Sequence, residues 1–276
     1  MILVNIVSLV ALASALVALM ITAQTTALDR SLRFRQASQA AVLARAGEIS
    51  AAIALRRDMS EAPGSDHLGE AWTAVTDREV PIEGGTFTLT ATDAQSRFNL
   101  NSLGQAAFAD AQIAQLAASL QLPPDIAQQI AASVRERGPL LRLAQLREFG
   151  VEDEVIARLA TLVTTLPQPT DINLNTASEE LIALLTGNPA GARMLVAQRA
   201  RAGFVTSEDL AALQLPRPPG TGFTSNYYWV RTTVRIADTQ QTLTSLLHRR
   251  VEDGRPQVLA LARWRGAAAP DAVPPL

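Results

Sequence analysis

The chain contains no cysteine. That excludes disulfides and thiolate chemistry, though it leaves the compartment open. Histidine is almost absent. His67 sits in a loop-like stretch and His248 beside Arg249 and Arg250. Neither belongs to a G-x-S-x-G or H-E-x-x-H pattern, so the sequence supplies no hydrolytic centre. Charge is nearly balanced, at −2 for 276 residues, which removes any global electrostatic drive toward nucleic acid or anionic lipid. Gly220-Thr221-Gly222 lacks a Walker lysine and follows Pro218-Pro219, so it reads as a proline-rich linker. The acidic groups Glu152-Asp153-Glu154 and Asp66 with Glu70 miss the EF-hand spacing and read as helix-terminal or solvated charge.

Charge is wholly missing from residues 1–23, MILVNIVSLVALASALVALMITA. A helix rises about 1.5 Å per residue, so this run spans a hydrocarbon core of about 30 Å. A cleaved signal peptide would need a basic start and a shorter apolar run. Here nothing basic precedes the run, and apolar residues continue past Ala13-Ser14-Ala15. A membrane anchor is the favoured reading. Arg30, Arg33 and Arg35 follow it, and a literal positive-inside count would place the C-terminal body in the cytoplasm. Removal of a short basic leader ahead of Met1 would reconcile that count with a body on the other side. Beyond the anchor, Leu28, Leu32, Ala40, Leu43, Ile49, Ile53 and Leu55 keep helical spacing without proline. The spacing predicts one helix of about 55 residues, with Gly47 its weak point.

Residues 60–70 form a breaker-rich loop. Residues 81–94 alternate Phe87, Leu89 and Ala91 with threonines after a Gly84-Gly85 turn, predicting a strand with one buried face. Residues 96–215 are helical in pattern. Alternation returns at 226–237, 240–250 and 256–264. An isolated strand cannot satisfy its own backbone, so the early strand is expected to pair with the late ones across an inserted helical block. The expected fold class is α+β, divided into 1–23 as the transmembrane part of the helix, 24–59 as its soluble part, 60–95 with 216–265 as an α+β domain, 96–215 as an inserted all-α domain, and 266–276 as a disordered tail.

The helical block contains a repeat. Phe98-Asn99-Leu100-Asn101 and Ile172-Asn173-Leu174-Asn175 each precede a helix. Each is followed later by an Arg-x-Arg pair and a glycine: Arg135, Arg137 and Gly138, then Arg199, Arg201 and Gly203. In the second copy Asn175 or Thr176 is a candidate helix cap, as is Ser207 ahead of Glu208 and Asp209. Leu181, Leu184 and Leu185 mark one buried face there, and Met194, Leu195 and Ala197 another. These stretches resemble the helix-hairpin-helix, or SAM-like, repeat of competence-type DNA-binding proteins. That module grips phosphate with backbone amides at a glycine hairpin. Here the hairpins read Leu185-Thr186-Gly187-Asn188-Pro189-Ala190-Gly191 and Leu122-Pro123-Pro124-Asp125. Proline removes donors and Asp125 adds negative charge, so a scaffold role is favoured over DNA binding. The arginines are expected to make surface ion pairs or partner contacts.

Together these parts resemble the K-type minor pseudopilins of type II secretion. The resemblance rests on Asp93, Arg97, Phe98, Asn99, Leu100 and Asn101, and on Ile172, Asn173, Leu174 and Asn175, which match the family's two signatures. It implies a pilin-like antiparallel sheet carrying the helical insertion. It also implies a non-enzymatic tip subunit that helps initiate a pseudopilus and export folded proteins across the outer membrane. I-type and J-type minor pseudopilins, the major pseudopilin and the inner membrane would be its partners, nucleic acid would not, and the C-terminal domain would lie in the periplasm. Asn5 would replace the glutamate most pilins carry, which suits a subunit with no neighbour above it, because an unpaired acid is costly in lipid. Read from the residues alone, Asn5 is an incidental polar residue near the interface. Leu9, Leu12, Leu16 and Leu19 would carry helix packing. No cofactor is evident, and calcium, which stabilises loops in some pseudopilins, is left open. A membrane-anchored DNA-binding protein of competence type is the alternative.

Overall fold

The computed structural model describes residues 2–73, 79–103, 107–123 and 125–266. Pro124 and all of the expected C-terminal tail except Gly266 lie outside them. Helix α1, Ile2–Glu61, runs unbroken through Ala27. Its 60 residues make a rod of about 90 Å at 1.5 Å per residue. Its environment changes along its length. Every described residue up to Arg35 is exposed. From there Ala40, Ala44, Gly47, Glu48, Ala51, Leu55 and Asp58 are buried, at intervals of three and four that keep one face against the rest of the chain.

That face lies on a five-stranded antiparallel sheet ordered β1-β2-β7-β8-β9. Strands β1 (Val80–Ile82) and β2 (Gly85–Asp93) form a hairpin. After the helical segment come β7 (Tyr227–Ile236), β8 (Thr239–Glu252) and β9 (Arg255–Arg265). The strand expected at 81–94 is therefore two strands around a turn at Gly84. It joins the late strands, with Phe87 opposite Val234 and Ala91 opposite Val230. Leu89, Ala91, Tyr228, Val230 and Leu247 pack under Ala51 and Leu55 of α1, with Trp72 from the following loop.

Between β2 and β7 lie helices α2 (Ala107–Ser119), α3 (Ile126–Arg137), α4 (Asp153–Leu159), α5 (Glu179–Thr186), α6 (Pro189–Ala202) and α7 (Ser207–Ala212). One apolar cluster runs through them, including Leu100, Ile113, Ile130, Leu146, Leu181 and Leu195. Two short parallel ladders stitch this unit: β3 (Phe98–Asn99) with β4 (Val163–Thr164), and β5 (Ile172–Asn173) with β6 (Thr221–Gly222). The 220–222 stretch, expected as a linker, is thus the second rail of a ladder. Several local expectations are corrected. Of the face expected from Met194, Leu195 and Ala197, only Leu195 is buried; Met194 is 56% exposed and Ala197 is exposed, because α6 turns Gly191 and Ala192 inward with Leu195. The cap of α7 is Thr206, which forms a capping box with Asp209, and the cap of α5 is Ser178.

Gly47 reverses its expected role. A Cβ there would lie 2.7 Å from both Cγ2 and Oγ1 of Thr232 and 2.9 Å from Phe87 Cζ, so the missing side chain is what lets the rod touch the sheet. Helix propensity alone favours alanine by about 1 kcal/mol. Overpacking costs about 1–3 kcal/mol, and here two side chains are struck at once. Gly47→Ala is expected to lower the urea midpoint of the full chain in detergent; a raised midpoint would show that the rod does not approach the sheet this closely.

Candidate functional site

No catalytic constellation emerges among the described residues. Two other features do: an exposed apolar rod end and a buried polar junction where rod, sheet and helical unit meet.

Asn5, Leu9, Leu12, Leu16 and Leu19 all lie on the exposed part of α1, with the leucines 55–70% exposed. The helix is long and apolar enough to cross a membrane. The polar cluster at the end of the run looks after itself: Thr22 Oγ1 donates to Ala18 O at 2.8 Å and Thr26 Oγ1 to Thr22 O at 2.8 Å. Such back-bonding leaves no hydroxyl unsatisfied in a water-poor setting.

At the far end of the rod the chain buries charge. Arg249, from β8, donates through Nη1 to Asp58 Oδ2 of α1 at 3.0 Å, through Nη2 to Asp66 Oδ2, and through Nε to Ser225 O at 2.6 Å. Its guanidinium lies over the Tyr228 ring, 5.2 Å from the centroid. Asp66 Oδ2 also accepts the Ser225 N–H at 2.6 Å. Ser225 Oγ donates to Asp93 Oδ2 at 2.6 Å, which also accepts Asn173 Nδ2 at 2.9 Å and Thr176 Oγ1 at 2.5 Å. Asn173 Nδ2 reaches back to Asp66 O at 2.9 Å. A continuous hydrogen-bonded path therefore runs from α1 through the 62–73 loop and the sheet into the helical unit.

The signature residues divide between this junction and the helical core. Asp93, Asn173 and Thr176 belong to the junction. Arg97 Nη1 donates to Ala160 O at 2.6 Å. Phe98, Leu100, Ile172 and Leu174 are buried in the apolar cluster. The asparagines tie loops in matching fashion. Asn99 Oδ1 accepts Asn101 N–H at 3.1 Å, and Asn173 Oδ1 accepts Asn175 N–H at 2.9 Å. Asn101 Oδ1 then takes Leu140 N–H at 2.7 Å, and Asn175 Oδ1 takes Val205 N–H at 2.7 Å. Asn175 and Thr176 are therefore loop and junction ties, not helix caps.

The remaining candidates have structural partners. His67 stacks on Phe204 and His248 on Tyr227, at centroid distances of 5.0 and 4.5 Å. Of the four repeat arginines, Arg135 pairs with Asp110 and Arg137 covers the Phe149 ring. Arg201 contacts Gln198. Arg199 turns inward and donates to Leu174 O and Ala177 O at 2.9 and 2.8 Å. At the second hairpin, Asn188 caps α6 and its Oδ1 accepts Gly191 N–H at 2.9 Å, so that amide is already bound within the chain.

Asp66 and Glu70, expected as helix-terminal or solvated charge, are both buried. With Asp58 they bring three carboxylate oxygens within 4.8 Å of one another. Asp66 Oδ1 and Glu70 Oε1 have no hydrogen-bond partner. The donor set is all oxygen, as calcium prefers, but Arg249 already takes one face of the cluster. One guanidinium against three acids leaves negative charge in a buried place. Burial first, and then the charge of Glu70, pushes the Asp58 carboxyl up to about 7. Burial likewise raises Glu70 and Asp93.

Two outcomes follow. Arg249→Met leaves the acids uncompensated and should cost about 3–5 kcal/mol of stability, read as a lower urea midpoint at pH 8. The folded chain holds the Asp58 proton to about pH 7, whereas an unfolded aspartate releases it near its ordinary value of 3.8. The folded state binds more protons in between, so this group makes stability fall as pH rises from about 4 to about 7. Asp58→Asn should flatten that fall, and an unchanged slope in a pH series of urea melts would refute the assignment.

Comparison with known proteins places these features. Residues 172–228, which hold Asn173, Thr176 and Ser225, match the family model described as type II secretion system (T2SS), protein K. The chain is 28% identical to type II secretion system protein K of Pseudomonas aeruginosa, over 96% of this chain and 92% of that one. It is 26% identical to the protein of the same name from Pectobacterium carotovorum, over 70% and 75%. Its fold matches a chain in the crystal structure of the GspK-GspI-GspJ complex of the enterotoxigenic Escherichia coli type 2 secretion system. That match has a TM-score of 0.68 at 22% identity, over 87% of this chain and 100% of that one. The chain is therefore similar, over nearly its whole length, to type II secretion system protein K.

Proposed function

We propose that this chain is the minor pseudopilin that closes the tip of a type II secretion pseudopilus and helps start its assembly. The observation that carries the reading is the single helix α1, bare and apolar at one end and built into the sheet at the other. Such a rod suits a subunit that waits in the inner membrane and then leaves it to pack among partner helices. In this reading residues 1–23 span the membrane and 24–59 continue into the periplasm. Residues 60–95 with 216–265 form a pilin-like head, and 96–215 an inserted helical domain whose two halves are related repeats.

Leu9, Leu12, Leu16 and Leu19 supply helix packing, and the neutral Asn5 suits a terminal subunit. The junction around Arg249 and Asp93 fixes the helical domain to the rod, so the bulk of that domain blocks addition of a further subunit. The signature residues serve as structural ties and the role is not enzymatic. By analogy with the Escherichia coli GspK-GspI-GspJ complex, the partners are I-type and J-type minor pseudopilins, and the filament below is the major pseudopilin. The competence-type DNA-binding alternative is disfavoured by Asn188 binding the Gly191 amide and by Arg199 facing inward.

Co-expression with the I-type and J-type minor pseudopilins of the same cell should yield a stable complex. A gel-shift assay with duplex and single-stranded DNA should show no binding at 50 mM salt. Binding that falls steeply with salt, without co-purification of the pseudopilins, would reverse the reading.

A further inference from the structure

One edge of the head has no partner among the described residues. The sheet has two edges: β1, with three residues, and β9, with eleven. A long edge strand presents a row of unpaired backbone donors and acceptors. Beside it runs a groove between β9 and α1. The floor is apolar, with Ala44, Ala52, Leu247 and Ala260. On its rims Ile49, Ile53, Leu259 and Leu261 are 40–51% exposed.

The charge of this groove opposes that of the chain. Arg45, Arg56, Arg263 and Arg265 line it, against one acid, Glu48. Glu48 is buried and already bound: Arg263 donates to both its oxygens at 2.8 and 3.0 Å, Ser245 Oγ donates at 2.6 Å, and Arg45 pairs with it. Arg56 and Arg265 have no acidic partner among the described residues. A protein of net charge −2 thus concentrates positive charge on one apolar groove. Lipid headgroups do not account for it. Arg45 stands 22 residues beyond Ala23, about 33 Å along the rod, well outside the reach of a surface potential with a Debye length near 8 Å.

We infer that this groove is the docking surface for an extended, acidic and apolar segment of a partner pseudopilin, which adds to β9 as a sixth strand. The inference rests on the pseudopilin reading above and assigns the face through which that reading operates. Strand addition would satisfy the β9 backbone, cover Leu259 and Leu261, and bring carboxylates to Arg56 and Arg265.

The test uses the full chain in detergent with purified I-type and J-type minor pseudopilins. The charge reversals Arg56→Glu and Arg265→Glu touch no ion pair among the described residues, so the fold should survive them, as a urea melt will verify. Together they are expected to weaken complex formation at least tenfold at 50 mM salt, while Arg142→Glu on the helical unit leaves it unchanged. Hydrogen exchange should slow at least tenfold at the amides of residues 259–265 on complex formation. Because the native chain has no cysteine, Leu259→Cys is a unique attachment point and should crosslink to the partner. An intact complex indifferent to both reversals, or one that leaves the β9 amides unprotected, overturns the docking face while the pseudopilin reading stands. If the unaltered chain binds neither pseudopilin, both fall together.

Discussion

Arg249 is the constraint on which the architecture turns. It is the cation at which rod, sheet and helical unit converge, and its three donor nitrogens bind Asp58, Asp66 and Ser225 O. Buried ions are expensive, and a pair rarely outperforms a well-packed apolar substitute. Retaining one arginine among three acids therefore makes more sense as a device for geometry than for stability. Apolar contacts tolerate sliding, whereas a forked guanidinium held on two carboxylates and a carbonyl fixes direction. What it fixes is the angle at which the end of α1 meets the sheet.

The rod itself meets two incompatible demands. Its first third has to be apolar on every side, which needs residues without charge. Its last third has to approach a sheet closely on one side only, which needs small residues there. Ala40, Ala44, Gly47 and Ala51 provide the second, and bulkier or charged neighbours fill the other faces. A helix satisfies its own backbone throughout, so the rod can change its surroundings along its length without changing its backbone.

This division explains what could be read from the sequence. The anchor and the strands were legible because hydrophobic run length and period 2 are local signals. That the early strand joins the late ones followed from the impossibility of a lone strand, whereas its register, Phe87 opposite Val234, was not legible. The junction was not legible. Arg249 meets Asp58 and Asp66 across 191 and 183 residues of sequence, and nothing near Asp66 distinguishes a buried acid from a solvated one. Gly47 looked like a defect because propensity scales price a glycine without its neighbours. Asn175 and Thr176 looked like caps because their residue types favour caps, while their side chains were claimed by distant partners. The two-residue ladders at Phe98 and Ile172 are too short to leave any periodic trace.

The junction also shows how a bulky unit can sit inside a sheet without spoiling it. Asp93 ends β2 and Tyr228 stands opposite it on β7, so the insertion leaves and returns at one point of one ladder. Closing a loop of roughly 130 residues costs only about 0.6 kcal/mol more than closing one half as long, so length is no obstacle; orientation is. The carboxylate of Asp93 gathers Asn173 and Thr176 from within the insertion and Ser225 from its exit. The residue that finishes the strand therefore also aims the domain that follows it. A flexible insertion would swing about its tethers, whereas one held at its root by three hydrogen bonds to a buried acid keeps one direction, which is what the proposed capping role requires.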